Sequence, residues 1–204
     1  MKKGIKILLI ILAIVIAFAG FFFYLLFGTS KKSTSDIAYY QALSGETEGH
    51  NTLPILGQRL NIECEYDLPW LSELEPYEDY RFNYTAWRGS IFEAHSYILI
   101  VRYDMQNYEQ QKEKLETEYT WLTDYLPGEF SDDEHGAAFE MDGFWFRAVD
   151  EIPDAYPKYM LFVGTSDETQ EVAYFYFHDG DLDYLAPTVA DSLRRYSGWE
   201  KIVK

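Results

Sequence analysis

Cysteine is nearly missing from this chain: among 204 residues only Cys64 carries a thiol. A lone thiol excludes an intramolecular disulfide and every multi-cysteine zinc pattern. An exported form of the chain must then be held together by its core alone. Cys64 lies in LNIECEYDL, where a small buried hydrophobe is the simplest reading, beside a reactive thiol or an intermolecular disulfide. Histidine is scarce too. His50, His95, His135 and His178 show none of the short spacings used by zinc proteases or deaminases. His95 and His178 fall in or at the ends of strand-like runs, where they can meet across a sheet. The sequence also lacks a Gly-x-Ser-x-Gly elbow, a Walker loop and a dinucleotide fingerprint.

Positive charge is the third shortage. The chain holds 17 basic and 34 acidic residues, a formal net charge of −17. Lys2, Lys3 and Lys6 stand in the first 28 residues, which contain no acid, so the remainder sets 14 basic against 34 acidic residues, a balance of −20. Such a surface excludes nucleic acid as a partner, because phosphate binding needs clustered cations. It is well solvated, and an anionic membrane surface repels it, so the domain is expected to stand off a bilayer.

What the chain has in plenty is apolar and aromatic side chains, 48% and 18% of the residues. That is enough for a sizeable core in one domain and argues against disorder throughout. Ile7 to Phe27 is a run of 21 residues without a charge. As a helix, at about 1.5 Å per residue, it reaches about 31 Å, the thickness of a hydrocarbon core. Within it Ala17-Phe18-Ala19 precedes Gly20, a small-x-small pattern that a signal peptidase cuts. A cut there would leave a mature end reading GFFFYLLFG. The apolar run passes straight through the site, which favours a permanent anchor over a removed signal. No cysteine stands near the end of the run, which excludes lipoprotein processing. Lys2, Lys3, Lys6 and the amino terminus outweigh Lys31 and Lys32, so the positive-inside rule puts the N-terminus in the cytoplasm. The expected organisation is a basic tip (1–6), a transmembrane signal-anchor helix (7–27), a Ser-rich tether (28–36) and an extracytoplasmic domain (37–204). The leader is bacterial in style, so the Asn83-Tyr84-Thr85 sequon is discounted.

In the exported part, SDIAYYQALSG predicts a short helix, with Ser35 or Asp36 as N-cap and Gly45 as a stop. Residues 45–80 read as long loops, with RLNIECEY as the one strand-like run. RFNYTAW and IFEAHSYILIVRY form a hairpin. In the second of these, Tyr97, Leu99 and Val101 share one face and Ile98 and Ile100 the other, so both faces are covered. Asp104 caps a helix whose stripe runs Tyr108, Leu115, Tyr119, Leu122 and Leu126, ended by Pro127-Gly128. AAFEM and FWFRAV meet at Asp142-Gly143, a two-residue turn signal. KYMLFVGT and EVAYFYFH make a third hairpin, and a last helix starts near residues 184–187 and ends before Gly198. The fold class is α+β, an antiparallel sheet of about six strands packed by two or three helices. The arrangement of residues 81–197 (helix, two hairpins, terminal helix) is similar in topology to the PsbP/Mog1-like domains. That similarity concerns fold alone; it carries no diagnostic motif and transfers no residue.

Candidate chemistry is thin. In FHDGDLDY, Asp179, Asp181 and Asp183 stand at i, i+2 and i+4, the opening spacing of a calcium loop. The sixth and twelfth positions are Tyr184 and Ala190, where that loop needs Gly and Glu. A turn followed by acids at a helix N-terminus explains the same residues. Asp132, Asp133 and Glu134 beside His135 form a second acidic loop, better read as solvated. Trp145, Tyr174 and Tyr176 are either core or an exposed platform for a sugar or protein. The expected role is non-catalytic binding at the cell envelope, with the bilayer and an envelope protein or glycan as partners and no required cofactor. The alternatives are a metal-dependent or carboxylate-based envelope hydrolase, with calcium as the candidate ion, and an accessory subunit of a membrane complex, using Ala17, Ala19 and Gly20 for close helix contact.

Overall fold

A computed structural model describes residues 2–27, 30–45, 53–55, 58–60, 68–88, 93–123, 137–150, 159–179 and 189–203. Helix α1 (Lys2–Phe27) is followed after two residues by strand β1 (Ser30–Thr34) and helix α2 (Ala38–Leu43). Strands β2 (Leu53–Ile55) and β3 (Gln58–Leu60) pair only with each other, and a 3₁₀ turn covers Leu71–Leu74. Then come β4 (Asp79–Arg88), β5 (Glu93–Arg102), α3 (Met105–Glu118), β6 (Ala138–Met141), β7 (Phe144–Ala148), β8 (Tyr159–Ser166), β9 (Glu171–Asp179) and α4 (Val189–Tyr196). A 3₁₀ turn, Trp199–Lys201, follows α4.

Seven strands form one antiparallel sheet in the order β1-β4-β5-β9-β8-β7-β6, so the fold is α+β. The six expected strands are present. The seventh is β1, which lies inside the stretch read as a tether. Thr34 and the serines of SKKST are too polar to signal a buried strand, but β1 is an edge strand. It needs only one partner, and Lys31, Lys32 and Ser33 take register with Trp87, Ala86 and Thr85. Charged residues on an edge also block further pairing.

Alternation along the strands makes two cores. Tyr84, Tyr97, Leu99, Val101, Tyr174 and Tyr176 face Tyr108 and Leu115 of α3. Ile98, Ile100, Phe146, Phe162, Phe175 and Phe177 face Leu193 of α4 and Trp199. The central strands are thus covered on both sides, and polar tyrosine edges gather under α3 while phenylalanines gather under α4. At the tight turn between β6 and β7, Asp142 (φ 51°) and Gly143 (φ 83°) take the positive φ angles their sequence suggests.

Helix α3 starts where expected, with Asp104 accepting a hydrogen bond from the Asn107 amide (2.9 Å). It stops earlier than its stripe. Tyr119 turns extended (φ −107°, ψ 138°), and Trp121 forms a β-bridge with Val149. The Leu122 amide donates to the Ala148 carbonyl at 3.0 Å. Tyr119 and Trp121 then pack on the tyrosine core and Leu122 on the opposite one, an alternation of period two that a helical stripe cannot make.

Helix α1 is apolar on every side: Ile10, Leu12, Ile14, Ile16, Phe18 and Phe22 are all exposed. Its described side chains span residues 10–22, about 20 Å of helix against about 30 Å of hydrocarbon. Among the described residues no helix is long and apolar enough to cross a membrane, so the transmembrane helix expected over 7–27 is not established by the structure.

Candidate functional site

Among the described residues a recess opens beside the β1 edge. In β1 and β4, Lys31 and Ser33 share a face with Trp87, Thr85 and Asn83, because paired residues project to the same side of a sheet. The segment after α4 lies on that face and is fastened to it by buried polar groups. The Asn83 side-chain amide donates to Thr85 Oγ1 (2.9 Å) and to the Ser197 carbonyl (3.3 Å). Ser96 donates to the same carbonyl at 3.1 Å, and Ser33 donates to Asn83 Oδ1 at 2.7 Å. Buried amides and hydroxyls are costly unless paired, so this set fixes the register of the segment on the sheet. Gly198 (φ +79°) makes the approach possible. A Cβ there would fall 2.7 Å from Thr85 Oγ1 and 2.8 Å from Asn83 Nδ2. Just beyond it Trp199 inserts among Phe144, Phe146 and Phe175, at centroid distances of 5.5, 5.6 and 5.9 Å. Its indole N–H donates to Asp142 at 2.7 Å.

The recess has a volume of about 490 Å³ and is lined by Ser33, Thr34, Ser35, Arg81, Asn83 and Lys201, with Tyr80, Phe82 and Ile202 as apolar wall. Hydroxyls and cations dominate its polar lining. Arg81 reaches Glu171 at 2.8 Å, and the same buried carboxylate accepts from Arg102 at 2.8 Å, so the three groups together keep a net charge of +1. Lys201 and, just outside, Lys31 add further positive charge. Burial, and then the neighbouring Lys201, lowers the pKa of Lys31. Lys31 Nζ sits 4.9 Å above the Trp87 ring centroid. Such a lining suits a small polar or anionic group.

A second constellation is the histidine pair. His95 and His178 are register partners on β5 and β9, with rings stacked at 5.8 Å. The Tyr84 hydroxyl and His95 Nδ1 share a hydrogen bond of 2.8 Å, and Tyr97 stacks on Tyr176 at 4.6 Å. The meeting across the sheet was legible in the sequence. At the opposite end of the sheet, Asp167 accepts from Tyr108 (2.7 Å) and from Lys112 (2.8 Å). Those two bonds hold its carboxyl below the usual range, the lysine contributing most.

Of the suggested calcium ligands, Asp179 ends β9 opposite Ala94, while Asp181 and Asp183 lie outside the described residues, as do Asp132, Asp133, Glu134, His135, His50 and Cys64. Among the described residues no three His, Cys, Asp or Glu side chains are grouped to hold a metal. The aromatic platform divides. Tyr174 and Tyr176 are buried under α3, but Trp145 is 51% exposed. Sequence reasoning missed Lys31, Ser33 and Ser197 as site neighbours, because only the pairing of β1 with β4 brings positions 33 and 197 together. Comparison with protein-family models, with curated proteins and with solved structures finds no match for this chain, so the topological similarity to PsbP/Mog1-like domains has no support from that side.

Proposed function

We propose that this chain is a membrane-anchored extracytoplasmic domain that binds a component of the cell envelope and is non-catalytic. The observation that carries the reading is α1. Residues 10–22 are all exposed and, Gly20 apart, apolar, a pattern that calls for an apolar surrounding that the other described residues do not supply. The uncharged run 7–27 lies wholly within this helix. Lys2, Lys3 and Lys6 before it favour a cytoplasmic N-terminus. The hydroxyl- and lysine-lined recess at the β1 edge supports binding of a small polar or anionic group. The PsbP/Mog1-like likeness concerns the topology of residues 81–197 only and contributes nothing to this reading.

Two measurements test the anchor. Alkaline carbonate washing of membranes should leave the full chain in the pellet, with an intact mass that includes residues 1–19; a mass lacking them makes the leader a removed signal. A Glu168→Cys reporter in a Cys64→Ser background, on the exposed β8–β9 turn, should react with a membrane-impermeant thiol reagent on intact cells. Reaction only after lysis would reverse the topology.

A further inference from the structure

The cations of this acidic chain are unevenly placed, and the unevenness coincides with the point where the chain leaves α1. Three residues separate Phe27 from Lys31 along the chain, four Cα steps with a reach of at most about 14 Å. The interfacial layer on each side of a bilayer is about 5–7 Å thick. If α1 is the anchor, the start of β1 therefore lies at or just above the headgroups, within about one Debye length of their phosphates. We propose that the β1 edge, with Lys31, Lys32 and Lys201, docks on an anionic phospholipid headgroup layer and holds the sheet edge-on against the membrane. The proposal rests on the anchor reading given above.

Three features of the molecule favour this occupant. Lys31 and Lys32 project to opposite faces of an edge strand whose outer side carries no partner strand among the described residues, so the two side chains flank the edge. Lys201, exposed on the 3₁₀ turn, lines one recess with Ser33 and Thr34 of the strand that carries Lys31 and Lys32. Two cations held together on a chain of net charge −17 make a local site for polyanionic surface. Trp87, partly buried beneath Lys31, adds the residue type that settles at headgroup depth. The nearest acids in the sheet's own strands at that end are Glu93 on β5 and Asp179 on β9, two and three strands inward. At about 4.8 Å per strand they stand about 10 and 14 Å behind the edge. Among the described residues Glu200 stands beside Lys31 and exposed Asp36 follows β1 by two residues; set against Lys31, Lys32 and Lys201 they leave a formal balance of +1. The chain's overall charge of −17 repels an anionic surface, so the expected stand-off is overcome only along this edge, with the acids of the inner strands behind it; docking end-on would bring those acids to the lipid.

The test uses the full chain, Cys64→Ser and Glu200→Cys, labelled with a donor fluorophore and reconstituted into vesicles carrying a headgroup acceptor. Vesicles of phosphatidylcholine alone are compared with vesicles to which phosphatidylglycerol is added. Energy transfer should be several-fold higher with phosphatidylglycerol. It should fall to the phosphatidylcholine level when salt is raised from about 0.1 M to about 1 M, which shortens the Debye length from about 10 Å to about 3 Å. Lys31→Glu/Lys32→Glu/Lys201→Glu should abolish the difference. Lys201→Glu alone, on an exposed turn outside the strand, should lose part of it and guards against misfolding of the triple variant. Transfer that is independent of lipid charge and of both variants overturns the docking while the chain still pellets after carbonate washing. A chain released by that wash overturns the anchor itself.

Discussion

Gly198 illustrates how much a single position can decide. Its place just past a helix is visible in the sequence, because the apolar stripe of α4 ends there and glycine suits a left-handed C′ residue. Its second constraint is not visible: the residues it touches, Asn83 and Thr85, lie far away in the chain. Gly198→Ala must accept a strained φ of about 79°, costing about 1–2 kcal/mol, and push apart a buried hydrogen-bonded pair. A loss of about 2–4 kcal/mol in urea unfolding of the solubilised chain is expected; a loss under about 0.5 kcal/mol would mean that the segment is not fastened there. The effect at Asp167 is smaller and depends on pH. Its carboxyl is held below its ordinary value of 3.8 by Lys112 and Tyr108. A depressed carboxylate contributes stability above its unfolded pKa, and the contribution is lost as pH falls through the folded value. Because Asp167 is largely exposed, the contribution is under about 1 kcal/mol. Asp167→Asn should therefore lower the melting temperature slightly at neutral pH and leave it unchanged near pH 2. A difference that persists at low pH would assign the effect to packing.

At the scale of elements, hairpins were the most legible feature, since a strand alternation and its turn chemistry are both local. Asp142-Gly143 announces its turn, and both faces of EAHSYILIVR announce a central strand. What stayed hidden depends on partners distant in sequence. SKKST is a strand only because β4 offers an unpaired edge, and TEYTW leaves the helical pattern only because Val149 offers a bridge. The same non-local logic governs Gly164. It faces Phe146 across β7 and β8, and a Cβ there would come within 2.5 Å of the ring. A glycine opposite an aromatic lets the ring lie over the backbone. Gly164→Ala should cost about 1–3 kcal/mol by overpacking. Adding Phe146→Leu should recover part of that cost although Phe146→Leu alone is destabilising. Additive losses in the double-mutant cycle would show that the two positions are not coupled.

For the molecule as a whole, charge is uneven along the chain: Lys2, Lys3 and Lys6 open α1, Lys31 and Lys32 lie on β1, and the first 28 residues hold no acid. This pattern was readable in the sequence as an orientation signal but not as a surface, because Lys201 joins Lys31 only after the C-terminal turn has folded back on β4. The two groups of lysines pull in opposite directions. On the anchor reading proposed above, Lys2, Lys3 and Lys6 favour an N-terminus retained in the cytoplasm, while Lys31 and Lys32 resist export of the domain. The surplus on the N-terminal side is small, so the orientation should be easy to disturb. Replacing Lys2, Lys3 and Lys6 by glutamine leaves the amino terminus to oppose two lysines on the far side. The fraction of Glu168→Cys chains protected from an impermeant thiol reagent on intact cells should then rise several-fold. Adding Lys31→Gln and Lys32→Gln to that variant should restore labelling. If the first set changes nothing while the chain remains in the carbonate pellet, basic residues do not set its orientation. The acidic domain, with its balance of −20 beyond residue 28, would then have to be held on its side of the bilayer by its own folding.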